Sequence, residues 1–445
     1  MSFSLDNYLQ SFLNLETVLD KTSPADFSLN RTFRLLEIFR HPENDLRFVH
    51  VAGSKGKGST CAFLASILRA SGYRVGLYTS PHLHSPFERI RVLEPDTIEV
   101  SPFEGMASEE DIAKIIEFYK EDIDRLRAED AAITFYELWT VAAIEYFAQK
   151  KVDVVILETG LGGRLDSTNA VDTMVCGITP IGLEHTKLLG DTLAAIAAEK
   201  AGIIKASSQG VVIAPQEPEA MEVLRARCAE FFIRPDIVGE GVQYSLCRQD
   251  ENALAFDVIG RRNYLGLETH LLGEHQAMNA ATAIALAEAL EVYGFVIAED
   301  TVREGVQSVR WPARFETVKL GPRVILDCAH TVESARVLAQ TFRSLYPDRL
   351  ATLVLGMSRD KDIPAVCREL DRIADKVVLT RADHPRAFDF RTVDTGTVFP
   401  AKTVVFTDNV EAALKEACRI AGEDGIVLVC GSVFVCAEAR KCATA

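Results

Sequence analysis

What this chain lacks excludes several classes of protein. None of its ten cysteines forms a Cys-x-x-Cys pair, so neither a zinc knuckle nor a disulfide framework is encoded. They read as reduced core thiols, with Cys61, Cys176, Cys328 and Cys430 inside apolar strand or helix patterns. No apolar run approaches the roughly 20 residues that cross a bilayer. The longest, from Ile426 to Cys436, is broken by Gly431 and Ser432. Lysine and arginine nowhere cluster, and the net charge of −16 repels nucleic acid and anionic lipid alike. There is no internal repeat and no low-complexity tract. The opening Met1-Ser2-Phe3-Ser4-Leu5-Asp6 has neither the basic start nor the apolar core of a secretory leader. The expectation is a cytoplasmic, monomeric globular protein without nucleic-acid or membrane partners.

What is present points to an α/β protein. A length of 445 residues favours two domains, and a hydrophobic share of 48% is enough to build a core in each. Strand patterns at 46–52, 74–79, 152–158 and 174–181 alternate with helical ones at 61–70, 133–149 and 191–201, which predicts a parallel sheet covered on both faces. Residues 93–109 read as an irregular surface excursion and 244–272 as a small antiparallel piece. A helix is expected over 277–292. Near Trp311-Pro312 the helical register is interrupted and alternation restarts, with strands expected at 324–327, 351–355, 376–380, 403–407 and 425–430. The expected division is a large domain over 1–306 and a smaller doubly wound one over 307–445.

Between the strand 46–52 and the helix that follows lies Gly53-Ser54-Lys55-Gly56-Lys57-Gly58-Ser59-Thr60. Glycines let successive backbone N–H groups converge on anionic oxygens, and the helix N-terminus adds positive dipole. Lys57 suits the outer phosphates of a nucleotide, and the Ser59 hydroxyl suits Mg²⁺. The strict phosphate-loop pattern places Ser or Thr directly after Gly-Lys, whereas here Gly58 intervenes. Read alone, the turn is also compatible with a flexible loop.

A second signal is the strand 152–158, which ends in Glu158 and runs into Gly160-Leu161-Gly162-Gly163-Arg164. In open α/β sheets, ligands bind at the carboxyl ends of strands. A carboxylate there suits a metal ion; the alternative is a helix cap. His185 ends another apolar strand and by itself reads as a structural histidine.

Taken in order, these residues resemble the folylpolyglutamate synthase and dihydrofolate synthase family of the Mur ligase superfamily. The likeness runs from about Phe27 to the end. Its landmarks are 50–60, Tyr78-Thr79-Ser80-Pro81-His82-Leu83, Glu88-Arg89-Ile90-Arg91, Glu158 with 160–164, and Gly182-Leu183-Glu184-His185-Thr186. Further ones are Glu199-Lys200-Ala201-Gly202-Ile203, Gly273-Glu274-His275-Gln276 with Asn279, 311–316, Asp327 with Ala329-His330, and Asp360-Lys361-Asp362.

The resemblance implies a Mur-type fold, with a phosphate-loop ATPase domain and a Rossmann-like domain that closes over ATP and binds glutamate. It implies that Gly56, Lys57, Gly58 and Ser59 hold phosphates, and that Ser59, Ser80, Glu158 and His185 ligate Mg²⁺. Lys57, Glu158, His185 and Lys200 are the implied catalytic set, Lys200 as a carbamate. Asn279, Arg314 and Asp327 match nucleotide contacts, and His330 matches a position linked to the incoming L-glutamate. The implied reaction is phosphorylation of a substrate carboxylate by ATP, then attack of the glutamate amine on the acyl phosphate. Folate or dihydropteroate would meet Phe27, Ser28, Leu29 and Asn30, then Thr134, Phe135, Tyr136 and Glu137, and finally Leu165, Asp166 and Ser167. Phe135 and Tyr136 suit pterin stacking and also suit a helix core.

The chain departs from bacterial bifunctional members at Ser54-Lys55 and at Thr331, where it looks more like the elongating eukaryotic enzymes. Elongation of folates and addition to dihydropteroate both remain expected. Two rivals are a Mur-type ligase acting on a UDP-linked acceptor and an ATP-gated binding protein that ligates nothing.

Overall fold

A computed structural model describes residues 3–17, 22–95, 101–130 and 132–444. In it the apolar runs become strands in two largely parallel sheets. The first sheet contains β1 (Phe48–Ala52), β2 (Val75–Tyr78), β3 (Ile90–Leu93), β4 (Val154–Glu158), β5 (Val175–Ile178), β6 (Gly210–Ile213) and β7 (Asp236–Ile237). Their spatial order is β3-β2-β4-β1-β5-β6-β7, and only β3 runs antiparallel to its neighbour. Strands β1, β2, β4 and β5 are buried along their whole length, which is why their sequences are continuously apolar and not alternating.

Helices cover both faces. On one, Leu29–Ile38, Glu109–Glu129 and Phe135–Gln149 enclose a core around Trp139, Phe147 and Tyr78. On the other, Leu193–Ala201 and Pro218–Glu230 bring Ile196 and Leu224 into a core with Ile203 and residues of β5 and β6. The antiparallel piece expected over 244–272 is a three-stranded sheet of β8 (Gln243–Gln249), β9 (Leu254–Ile259) and β10 (Asn263–Thr269). The helix expected over 277–292 spans Glu274–Ala289.

The second sheet comprises β11 (Glu316–Lys319), β12 (Arg323–Leu326), β13 (Ala351–Leu355), β14 (Ala374–Leu379), β15 (Thr403–Phe406) and β16 (Ile426–Cys430). Its order is β11-β12-β16-β13-β14-β15, with β11 antiparallel at the edge. Two compact units result: 1–245 with 256–268 and 276–309, and 310–445 with 246–255 and 269–275.

Some expectations need correction. The excursion at 93–109 is flanked by regular structure, since its first residue closes β3 and Glu109 opens a 21-residue helix; residues 96–100 lie outside the described residues. Both antiparallel edges, β3 and β11, escape a reading based on buried apolar runs. Of the ten cysteines, all free, seven are buried, but Cys247 and Cys442 are exposed and Cys418 is half-buried.

Candidate active site

Strands β2, β4, β1 and β5 lie side by side, and the residues singled out in the first unit follow their carboxyl ends: Ser80 after β2, Glu158 on β4, the glycine loop after β1 and His185 beyond β5. Strand β1 is flanked by β4 on one side and β5 on the other, the switch point where such sheets open a crevice.

The loop is built for close backbone approach. Gly53 has φ +149°, and a Cβ there would lie 1.8 Å from Thr179 Oγ1, so no side chain fits. Gly56, at φ +83°, caps the helix Lys57–Ala70, and a Cβ on it would lie 2.4 Å from Asn279 Oδ1. Asn279 is therefore packed against the loop, its amide held by Gln276 Oε1 at 3.0 Å. The N–H groups of Ser54 and Lys55 are taken by Pro180 O at 2.9 and 3.1 Å. The first intrahelical bond joins Thr60 N–H to Gly56 O at 2.9 Å. The N–H groups of Lys57, Gly58 and Ser59 belong to the helix turn that has no intrahelical acceptors, so they suit an anion.

Three lysines converge here. Lys57 Nζ lies 3.1 Å from Gly53 O, and Lys200 Nζ lies 2.7 Å from the same oxygen. Glu184 pairs with both of the others: Oε2 with Lys55 Nζ at 3.1 Å and Oε1 with Lys200 Nζ at 3.4 Å. Burial alone would raise the Glu184 carboxyl, but Lys200, Lys55, Lys57 and His185 hold it well below the usual carboxylate range. Burial, opposed by Glu184 and reinforced by Lys57, pulls the Lys200 ammonium down to about 8. Sequence reasoning left Glu184 without a role. Its signal was an acid beside His185 in a turn that ends an apolar strand.

Glu158 accepts the Ser80 N–H on Oε2 at 3.1 Å, which ties β4 to the loop after β2. That loop is braced by Glu88, which accepts N–H bonds from Leu83, His84 and Ser85 at 2.7 to 2.9 Å. His185 adopts φ +50°, a strained backbone for a non-glycine residue. Among the described residues, no group of three or more His, Cys, Asp or Glu side chains is placed to hold a metal. The set Ser59, Ser80, Glu158 and His185 offers one carboxylate, one imidazole and two hydroxyls, mostly hard oxygen donors. It fits Mg²⁺, which commonly takes one or two carboxylates and completes its shell with phosphates and water.

The residues expected at the folate wall are largely committed to one another. Ser28 caps the helix Leu29–Ile38 by accepting the Asn30 N–H at 3.3 Å. Thr134 and Glu137 form a reciprocal capping box, and the Glu137 carboxylate also meets buried Arg31 Nε at 2.8 Å. Phe135 stacks on Trp139 with centroids 5.4 Å apart. Asp166 accepts Leu161 N–H at 2.8 Å and the Thr168 hydroxyl at 2.5 Å. That hydroxyl, its proton spent on Asp166, accepts from His50 Nε2 at 2.8 Å, so the buried imidazole carries its proton on Nε2. Among the described residues Tyr136 Oη is buried without a hydrogen-bond partner, and it would lie 2.6 Å from a Cβ on Gly160. Ser167 is buried beside Asp166 and Leu165 is half-buried. Phe27 and Leu29 are half-buried and Asn30 is exposed.

In the second unit, Asp327 directly follows β12. Its carboxylate accepts N–H groups from Phe315 at 3.0 Å and Ala329 at 2.8 Å. Burial raises its pKa against the opposing pull of Arg314 and these N–H groups. Arg314 sits between two left-handed non-glycine residues, Ala313 at φ +54° and Phe315 at φ +48°. His330 Nδ1 donates to Cys328 O at 2.7 Å, since a carbonyl only accepts. Asp327, Arg314 and His330 thus cluster at the end of β12.

Comparison with known proteins is consistent across the chain. Residues 104–287 match the Mur ligase middle domain, and 313–433 match the Mur ligase glutamate ligase domain. The dihydrofolate synthase/folylpolyglutamate synthase of Bacillus subtilis is 33% identical over 428 residues, covering 93% of this chain and 94% of its own. A Mycobacterium tuberculosis folylpolyglutamate synthase complexed with ADP and AMPPCP superposes with a TM-score of 0.85 at 30% identity, covering 98% and 99% of the two chains. Escherichia coli FolC in complex with DHPP and ADP gives a TM-score of 0.81 at 30% identity, covering 99% of this chain and 97% of that one. Among the described residues no helix is long and apolar enough to cross a membrane. With both domain models matched in order and a relative of this identity aligned over nearly its full length, the chain belongs to the Mur ligase family, in its dihydrofolate synthase/folylpolyglutamate synthase branch.

Proposed function

We propose that this protein is an ATP-dependent ligase that joins L-glutamate to folates, and to dihydropteroate, through an acyl phosphate. The observation that carries the reading is the convergence of Lys57, Lys200 and the first-turn N–H groups of 57–59 on one side of Glu158 and Ser80, at the carboxyl ends of adjacent strands. Relatives named for both activities, and similar structures holding ADP, support it.

In the first step a substrate carboxylate oxygen attacks the γ-phosphorus of ATP, and the bond to the β-phosphate oxygen breaks as ADP leaves. The glutamate amine then attacks the acyl carbon, gives up a proton, and inorganic phosphate departs. Lys57 and the N–H groups of Gly56 to Ser59 offset charge on the transferring group, where fixed electrostatics matter most. Asn279, packed against Gly56, is assigned to the nucleotide. Arg314 and Asp327 are assigned to the nucleotide and His330 to the glutamate. The wall from Phe27 to Asn30, with Thr134 to Glu137 and Leu165 to Ser167, is assigned to the pterin. Ser59, Ser80, Glu158 and His185 would hold Mg²⁺, which when bound neutralises phosphate charge.

Lys200 is assigned to carbamate formation, in which a neutral amine adds to carbon dioxide, forms an N–C bond and releases a proton. The amine fraction grows as pH rises through about 8, within reach of neutral conditions. A test is phosphate release with ATP, Mg²⁺ and glutamate, supplying dihydropteroate or tetrahydrofolate and weighing the products, with carbon-labelled bicarbonate trapped on Lys200. Glutamylation of both acceptors is expected. Glutamylation of tetrahydrofolate alone would remove the dihydropteroate activity, and of neither would remove the folate reading.

A further inference from the structure

His82 stands outside the phosphate, metal and substrate sets, on the loop that leaves the carboxyl end of β2, two residues after Ser80. Its ring is half-buried, and its Nδ1 lies 2.9 Å from Arg89 Nε. An arginine nitrogen only donates, so Nδ1 accepts and the ring proton is held on Nε2. Among the described residues Nε2 has no hydrogen-bond partner. We propose that His82 is a substrate-binding residue, a neutral ring whose fixed Nε2–H donates to the carboxylate of the acceptor that is to be phosphorylated. The proposal rests on the reading that an acceptor carboxylate is carried to ATP at this site.

The donor is set from behind by a buried ion pair. Arg89 closes the short helix Pro86–Arg89, and its side chain is 1% exposed. Its Nη1 and Nη2 meet Glu16 Oε1 and Oε2, both at 2.7 Å, in a forked pair between residues 73 positions apart. Nε is the nitrogen left for His82, and the backbone holds it there, since Arg89 O accepts the Thr79 N–H at 3.0 Å. A cation donating to Nδ1 draws electron density from the ring and makes Nε2–H a stronger donor. The Glu16 carboxylate keeps the buried guanidinium matched.

The place suits an acceptor lying between the wall and the nucleotide. On one side the loop is tied to the proposed metal set, with Ser80 N–H donating to Glu158 Oε2 at 3.1 Å. On the other, the Arg89 guanidinium lies 5.8 Å from the centre of the Phe135 ring, at the expected pterin wall. His82 is bonded to the group over Phe135 and separated from Ser80 by one residue. An acceptor with its pterin at the wall and its carboxylate at ATP has to span that interval. A neutral donor orients a carboxylate oxygen without cancelling its charge, so the oxygen keeps what it needs to attack phosphorus. A purely structural role, as the acceptor for buried Arg89, predicts a different pattern: lower stability, with the acceptor and ATP affected alike.

The test compares His82→Met, which leaves Arg89 a weak acceptor and removes the donor, with His82→Gln, whose amide keeps an acceptor and a donor. His84→Gln, at an exposed ring on the same loop, is the control. Two readouts are taken. The first is the nitrogen NMR signals of the imidazoles in the complex with ADP and Mg²⁺, titrated with dihydropteroate or, where that does not bind, tetrahydrofolate. The second is the KM for that acceptor and for ATP. The signals lost in His82→Met are expected to be those of a ring protonated on Nε2, and in the unaltered protein they should move as the acceptor binds. His82→Met is expected to raise the acceptor Kd and KM about tenfold with the KM for ATP within about twofold, and His82→Gln to stay within about threefold of the unaltered protein. A ring protonated on Nδ1, signals that stay still while the acceptor binds, or acceptor and ATP constants that change alike would overturn the proposal. Should His82→Met fail to fold, the signals are assigned through His82→Gln and their response to the acceptor decides. If the unaltered protein neither binds nor glutamylates either acceptor, the functional reading fails and takes the proposal with it; binding that leaves the His82 signals unmoved overturns the proposal alone.

Discussion

At the glycine-loop end of the first unit, Lys55, Lys57 and Lys200 share one carboxylate and one carbonyl oxygen. At the expected folate wall, Arg31 and Glu137 are matched to each other across two helices, while Thr134 and Asp166 are matched by partners within five residues of them. The loop carries cations in excess of the acids beside it, which suits a polyanionic ligand and fixes where charge is neutralised. The wall has engaged its carboxylates in helix caps and a buried ion pair, while Tyr136 Oη has no hydrogen-bond partner among the described residues. In the reading proposed here, shape and aromatic surface carry recognition at the wall, and its paired charges serve as scaffolding. The difference shows why residue type alone is a poor guide to role: a glutamate can pair with lysines at one end and cap a helix at the other.

The comparison breaks most readily at Lys57. Lys57→Ala is expected to lower ligation by at least about 100-fold with the melting temperature nearly unchanged, because the side chain serves charge on the transferring phosphoryl group and not the core. Normal turnover in that variant would mean that the loop's positive charge is not catalytic. Next in size is Glu137→Ala, which strands Arg31 as a buried cation and is expected to cost about 3–5 kcal/mol by denaturant unfolding. A loss below about 1 kcal/mol would move Glu137 from scaffolding to the ligand-facing class. Smallest is Tyr136→Phe. Because Oη is buried without a partner among the described residues, removing it should leave stability unchanged or raise it by about 1 kcal/mol. The KM for dihydropteroate should stay within about twofold; a tenfold rise would give the wall a polar contact that the comparison denies it.

Much of the first unit was legible because its strands are buried on both faces and so appear as unbroken apolar runs. Strands β1, β4 and β5 fall within the stretches expected, and the helix Phe135–Gln149 begins two residues later than expected. The helix after the phosphate loop starts at Lys57, four residues earlier than its apolar spacing suggested, because Gly58 and Ser59 are buried helix residues without apolar side chains. The edges β3 and β11 were missed because their runs are interrupted by charge: Arg91 sits inside the buried Ile90–Leu93, and Glu316–Lys319 carries a charged residue at each end and is not buried. In the site, the loop glycines and Glu158 were legible from their place at strand ends. Glu184 was not, because its partners come from positions 129 and 16 residues away, and no local pattern reports such a meeting.

The order of apolar runs, glycines and acids along the chain determined by itself that there would be two α/β units, with a glycine loop after the first buried strand and a carboxylate at the end of its neighbour. Periodicity and turn chemistry act locally, and they survive in sequence. Which side chains would share a charge was decided only when β1 settled between β4 and β5 and brought Lys55, Glu184 and Lys200 together. Packing also decided that Glu137 would turn inward to Arg31 and that His50 would end in a buried chain with Thr168 and Asp166. Long-range partners are chosen by the cost of leaving a buried charge or donor unmatched, and that cost exists only once the core has closed around it.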